Sequence, residues 1–261
     1  MQKNVCVVSS TRADYGILKP LLKRIDGDAQ INLRLVATGM HLSPEFGNTV
    51  SEITADGFEV ACRIPILVSA DTPAGMSKTM SMALSGFADY FESHTPDLLI
   101  LLGDRYEIAA VACAALNQKI PIAHIHGGEL TSGAIDDNYR HAITKMSSLH
   151  FTSCDDYRKR VIQLGESPSS VFNVGSMGVE NVLSVPDLPL AEISSYVGLP
   201  LEAKKYAIVT FHPVTQDEAS GTAQVKQLMQ AMEQFSAIRF VVTKANSDAG
   251  GREINTMWEA F

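Results

Sequence analysis

The sequence predicts an α/β fold of the doubly wound, parallel-sheet type. Two observations carry this. Short apolar runs of strand length (5–9, 31–37, 98–102 and 120–125) alternate with segments of helical periodicity. The runs 98–102 and 120–125, joined by an alanine-rich helix, lead straight into polar, glycine-bearing segments. In a parallel sheet both would end on one edge, and ligands of open α/β sheets collect outside that edge.

Taken in order, 5–9 reads as the first, central strand. It ends in S-S-T-R-A-D-Y-G, with a helix over 17–25. Residues 31–37 alternate as the second strand, 49–55 suit a helix stopped by Gly57, and 59–64 a third strand. The spacing of Met76, Met80, Leu84, Phe87 and Phe91 predicts a one-sided helix over 73–94, its methionines filling core. Strand 98–102, helix 108–116 and strand 120–125 form the central unit. A helix over 138–148, a strand at 150–152, a helix over 155–164 and a strand at 171–174 complete a first domain, residues 1–182.

The composition then shifts. Pro186, Pro189 and Pro200 mark 183–203 as an interdomain linker. Residues 204–261 hold strand 206–211, helix 223–235, strand 238–243 and a last helix from 252. Two strands and two helices are marginal as a free-standing core, so this piece reads as the opening of a second Rossmann-like domain in a truncated chain.

Net charge is −8 with no Lys/Arg run, which argues against nonspecific nucleic-acid binding. An anionic ligand would be held by individually placed cations. Cys6, Cys62, Cys113 and Cys154 are scattered with no C-x-x-C, and read as reduced thiols of a cytoplasmic protein. The start is too short in apolar residues for a signal peptide, and no run reaches membrane-spanning length. No G-x-G-x-x-G occurs, so no nicotinamide or flavin cofactor is expected.

Asp104, after strand 98–102, should sit at the strand's mouth, as a catalyst or as a helix N-cap. Arg105 could meet a phosphate or pair with Glu107. His124 and His126 share a strand face and lie near several carboxylates, which suits general acid–base work. A structural His124 bonded to backbone is the bland alternative. A metal held by the two histidines with Glu129 or Asp136 is the weaker reading, since no further ligand stands at a helical i, i+4 interval. Asp136 and Asp137 open a helix at its positive end, with Arg140 one turn on. Arg12 offers a cation beside a strand-to-helix turn that can cradle an anion. His212 follows strand 206–211, and Lys244 and Asn246 follow strand 238–243, at the lip of the second domain.

In order along the chain come S-T-R-A-D-Y-G, A-T-G-M-H-L-S-P-E-F-G-N-T, L-G-D-R-Y-E, H-I-H-G-G-E-L-T-S-G-A-I-D-D-N-Y-R-H-A-I-T-K and F-H-P-V-T. Together they resemble the hydrolysing UDP-N-acetylglucosamine 2-epimerases of sialic acid biosynthesis. The resemblance implies a GT-B-like pair of Rossmann-like domains with a UDP-sugar between them. It implies conversion of UDP-N-acetylglucosamine and water to N-acetylmannosamine and UDP through a 2-acetamidoglycal, with no cofactor or metal. It also implies a homodimer or higher homo-oligomer. By similarity Asp104, His126 and Asp136 form the acid–base set, with Glu129 beside them and Arg140 in support. Arg12, Asp14, His41, Arg105, His124, Asp137, His212, Lys244 and Asn246 become substrate-binding positions.

Two departures follow. Many relatives carry glutamate where this chain has His126, which shifts the expected base to Asp104 or Asp136. Relatives also continue past 261 with a turn that holds the UDP phosphates, so the 261-residue chain alone is expected to bind UDP weakly and turn over poorly. The competing readings are the same chemistry on a UDP-diacetamido-trideoxyhexose of legionaminic acid synthesis, a non-hydrolysing epimerase, a non-catalytic binding remnant and a metal-dependent hydrolase.

Overall fold

The computed structural model describes residues 2–68, 72–212, 221–245 and 251–261. Apart from Thr72 and Pro73, the described residues through Leu183 form one compact unit, and Ser184 to Phe261 belong to a second.

The first unit is a seven-stranded sheet in the order β3-β2-β1-β4-β5-β6-β7, every pair parallel. The strands are β1 (Lys3–Ser9), β2 (Ile31–Thr38), β3 (Val60–Ile64), β4 (Leu98–Leu102), β5 (Ile122–Ile125), β6 (Leu149–Thr152) and β7 (Val171–Asn173). Strand order reverses between β1 and β4, which opens a crevice at their carboxyl ends.

Side-chain alternation sends the strands' residues to two separate cores. Cys6, Val8, Leu99 and Leu101 pack on one face with helices α3 (Pro73–Ser93) and α4 (Tyr106–Asn117). Val5, Val7, Ile100 and Leu102 pack on the other with α1 (Arg12–Asp26), so strands buried on both sides read as unbroken apolar runs.

Several elements depart from the sequence expectation. Helix α1 begins at Arg12 rather than 17, because Thr11 is an N-cap whose hydroxyl accepts from the Asp14 amide. In α3 the buried line is Gly75, Thr79, Ala83, Phe87 and Phe91, while Leu84 is exposed. A Cβ at Gly86 would lie 2.8 Å from the Ile64 side chain, so the helix passes close to the end of β3 at that one position. Short helix α2 (Val50–Ala55) follows two 3-10 turns, Gly39–Leu42 and Pro44–Phe46, which periodicity does not reveal.

Helices α5 (Asp136–Met146), α6 (Asp155–Gln163) and α7 (Met177–Ser184) complete the first unit. The proline-bearing 183–203 segment contains a helix, α8 (Leu190–Val197). Its prolines lie outside the helix interior, Pro189 as N-cap, and Gly198 closes it at φ 69°. In the second unit β8 (Tyr206–Thr210) and β9 (Arg239–Thr243) pair in parallel. Val225, Met229, Ala245 and Ile254 bury a small core there, with helices α9 (Gly221–Glu233) and α10 (Gly251–Ala260).

Candidate active site

The carboxyl ends of β4, β5 and β6 and the start of α5 bring one polar cluster together. At its centre Arg140 is 5% exposed and divides its guanidinium between two carboxylates. Nη2 donates to Asp104, and Nη1 donates to Asp137 Oδ1 at 2.9 Å. Nη2 also reaches Thr131 Oγ1 at 3.3 Å, and the Thr131 amide donates to Asp137 at 2.7 Å. The 131–137 loop is thereby closed over the start of α5. The N-cap alternative for Asp104 is corrected: Arg105 holds that position, and Asp104 turns to Arg140 instead.

His126 follows β5 directly and lies in the left-handed region, at φ 65°. Its amide still donates to the Phe151 carbonyl at 2.8 Å, so the β5–β6 ladder holds to this residue. Nδ1 lies 3.6 Å from Glu129 Oε1, and Nε2 is buried with no partner among the described residues. Burial depresses the His126 pKa below the usual histidine value; Glu129 and Asp104 push it up, and Arg140 pushes it down. Glu129 is held in turn by Ser153, whose hydroxyl donates to Oε1 at 2.6 Å.

The two glycines of H-I-H-G-G-E make this turn possible. A Cβ at Gly127 would lie 3.0 Å from Thr144 Oγ1 and 3.1 Å from His124 Nδ1. At Gly128, φ 82°, it would lie 2.5 Å from the Tyr157 carbonyl oxygen of α6. Arg160 donates to the Gly128 carbonyl and so ties the turn to α6.

His124 and His41, expected among the substrate-binding positions, are both buried and hydrogen-bonded within the first unit. His124 is fully buried, and its Nε2 donates to the Gly103 carbonyl at 2.7 Å. That fixes the tautomer, so Nδ1 accepts from Thr144 Oγ1 at 3.1 Å. With both nitrogens engaged it has none for a metal or a ligand, and burial lowers its pKa to about 3. His41 is also fully buried, 2.9 Å from Ser9 Oγ and 2.8 Å from Thr49 Oγ1, and burial lowers its pKa to about 4. Both histidines brace strand ends rather than line the site. Among the described residues no three His, Cys, Asp or Glu side chains are grouped to hold a metal ion.

A second cluster sits where strand order reverses. Arg105 Nε donates to the buried Glu107 at 2.5 Å, the ion pair expected as the bland alternative. Asp14 accepts from Ser10 Oγ at 3.0 Å. Burial raises its pKa, Arg105 opposes that, and Glu107 adds to it. Arg12 is exposed at the first position of α1, and Asp136 is half-buried at the first position of α5. In the second unit His212 is exposed after β8, and Lys244, after β9, pairs with Glu259. Asn246 lies outside the described residues. Sequence reasoning missed Ser153, Thr131 and Thr144; Ser153 had a positional signal, since it follows strand β6 at the same sheet edge.

Residues 23–261 match the family model described as UDP-N-acetylglucosamine 2-epimerase. The chain belongs to this family. Among curated relatives it is 39% identical over 260 residues to the GDP/UDP-N,N'-diacetylbacillosamine 2-epimerase (hydrolyzing) of Campylobacter jejuni, covering 100% of this chain and 67% of that protein. It is 41% identical over 249 residues to the polysialic acid biosynthesis protein P7 of Escherichia coli, covering 95% and 63%. It is 36% identical over 261 residues to the UDP-N,N'-diacetylbacillosamine 2-epimerase (hydrolyzing) of Legionella pneumophila, covering 100% and 68%. The chain thus spans about two thirds of the length of these relatives.

Solved structures share the fold. The UDP-GlcNAc 2-epimerase of Methanocaldococcus jannaschii, in complex with UDP-GlcNAc and UDP, superposes with a TM-score of 0.78 at 16% identity, over 98% of this chain and 69% of that one. The Neisseria meningitidis UDP-GlcNAc 2-epimerase bound to UDP-GlcNAc gives 0.76 at 16% identity, over 98% and 70%. The GT-B-like α/β fold is therefore shown, and this member of the 2-epimerase family carries its polar cluster on the carboxyl edge of the first unit's sheet.

Proposed function

We propose that the protein is a hydrolysing 2-epimerase of a UDP-2-acetamido sugar, releasing free UDP and the 2-epimeric free sugar. The observation that carries the reading is the Asp104–Arg140–Asp137 and His126–Glu129 cluster, present in a chain of the 2-epimerase family. The C2 hydrogen is barely acidic, so departure of UDP runs ahead and leaves oxocarbenium character at C1. Carboxylates at the sheet edge stabilise that cation, as in glycosidases. A C2 proton is lost, a 2-acetamidoglycal forms, and water then adds with the opposite configuration at C2.

Asp104, His126, Glu129, Asp136 and Arg140 form the reacting group in this reading. Arg12, Asp14, Arg105 and Asp137 support the substrate in the first unit, and His212 and Lys244 are proposed as ligand-binding positions of the second unit taken by itself. Residues 204–261 then belong to a UDP-binding domain and 1–182 to the catalytic one. Free thiols at Cys6, Cys62, Cys113 and Cys154 support a cytoplasmic location.

Two sugars compete. UDP-N,N'-diacetylbacillosamine is favoured by the names of the 39% and 36% identical relatives. UDP-N-acetylglucosamine is favoured by the Neisseria meningitidis UDP-N-acetylglucosamine 2-epimerase, 32% identical over 254 residues. The full-length protein incubated with each sugar should release free UDP, faster from the diacetylated one. Release from neither refutes the reading, and a product still attached to UDP would make the enzyme non-hydrolysing.

A further inference from the structure

Building on that function, we propose that His126 Nε2 is the base that takes the C2 proton, with Glu129 as its positioning residue and Ser153 holding Glu129. The geometry points to this in three ways. First, Asp104 and Asp137 each spend a carboxylate oxygen on the Arg140 guanidinium, whereas His126 Nε2 has no such engagement. Second, the Nε2 nitrogen of His126 is buried and finds no hydrogen-bond partner among the described residues, although the ring has only 14% of its surface exposed. A buried polar atom left unpaired is destabilising, and here it is the one on the catalytic-edge imidazole that a C2–H donor can complete. Third, the residue sits at φ 65°, a conformation that side chains other than glycine seldom adopt and that recurs at functional sites.

The neighbours set the tautomer. Glu129 Oε1 lies 3.6 Å from Nδ1 and is fixed by the Ser153 hydroxyl, which donates to it. A carboxylate can only accept, so the proton of the neutral ring belongs on Nδ1 and the lone pair on Nε2. The charged groups acting on the ring are Glu129, Arg140 and Asp104, and burial outweighs them to keep it neutral near pH 7. A neutral base leaves stabilisation of the C1 cation to the carboxylates and takes only the proton.

In the step, Nε2 binds the C2 proton and the C2–H electron pair becomes the C1–C2 π bond. The C1–O pair leaves with UDP. Water then supplies hydroxyl to C1 and a proton to C2, and the imidazolium releases its proton to solvent.

The test measures UDP release against pH, with C2-protonated and C2-deuterated sugar, in the full-length protein and in H126Q and E129Q. The native acid limb should fall below 6.5, the ordinary histidine value. H126Q should lose roughly 100-fold in turnover and abolish that limb, while retaining UDP binding. E129Q removes a charge that raises the His126 pKa, so its acid limb should move to lower pH. H126Q turning over within threefold of native, or an acid limb that E129Q leaves in place, would overturn the assignment of the base alone. A native protein that releases UDP from neither sugar overturns the function and this assignment with it.

Discussion

At the scale of the residue, Arg140 is the side chain on which the site depends. It is buried, and two separate amino groups of its fork each hold a carboxylate that would otherwise face the other uncompensated. Truncation to alanine leaves Asp104 and Asp137 without their cation. Breaking a buried pair by removing one partner destabilises by about 3–5 kcal/mol. Both aspartates keep roughly a quarter of their side-chain surface in water, which places the expected loss at the low end, about 3 kcal/mol. Arg140→Lys keeps the charge but cannot grip two acceptors with a planar fork, so it should recover only part of that loss. Urea unfolding of both variants measures it, and an alanine variant within about 0.5 kcal/mol of native would show the ion pairs to be inessential.

At the scale of the element, the turn after β5 shows what sequence conveys and what it withholds. The meeting of the ends of β4 and β5 was legible, because two apolar runs around one helix can only be neighbouring parallel strands. The Arg140–Asp137 spacing was legible for the same kind of reason, helical geometry. The second carboxylate on Arg140 and the Ser153–Glu129 bond were not, since they depend on how far a loop reaches in space. The face of α3 was legible in part: Phe87 and Phe91 are buried and Met80 packs against the core as expected, while Leu84 is exposed and Gly75, Thr79 and Ala83 fill the buried line. Gly128 lets these effects be separated. At φ 82° an alanine there bears backbone strain of about 1–2 kcal/mol. Its Cβ would also stand 2.5 Å from a helix carbonyl, and such overpacking adds about 1–3 kcal/mol. Gly57 has φ 93° with nothing within 4 Å, so alanine there carries the strain alone. Gly128→Ala should therefore lower the denaturant midpoint clearly more than Gly57→Ala; equal losses would mean that the turn yields and the packing against α6 is soft.

For the whole molecule, the fold stores its pH sensitivity in histidines placed deep in the first unit. His124 and His41 are fully buried and neutral, with pKa values lowered by burial to about 3 and about 4 from 6.5. The unfolded chain takes up these protons as pH drops below 6.5, whereas the native protein does not until pH approaches 4 and then 3. Their contribution to stability is thus complete above pH 6.5 and is lost progressively below it. Each unit of pH in that window removes about 1.4 kcal/mol per histidine, so by pH 5 the two together remove about 4 kcal/mol. His150, fully buried against Glu166, has its pKa shifted in the same direction and adds to the loss. Asp14 works the other way: burial raises its carboxyl, so protonating it as pH falls favours the native state. His126 and His141 are shifted in the same direction, and together the histidines outweigh the one raised aspartate. The urea midpoint should fall steeply from pH 7 to 5, and replacing His124 with glutamine, which can still donate to the Gly103 carbonyl, should flatten that slope while lowering stability at pH 7. A midpoint unchanged across this range would mean that these imidazoles gain protons inside the folded protein, and that the sheet's carboxyl edge admits water far more readily than its packing implies.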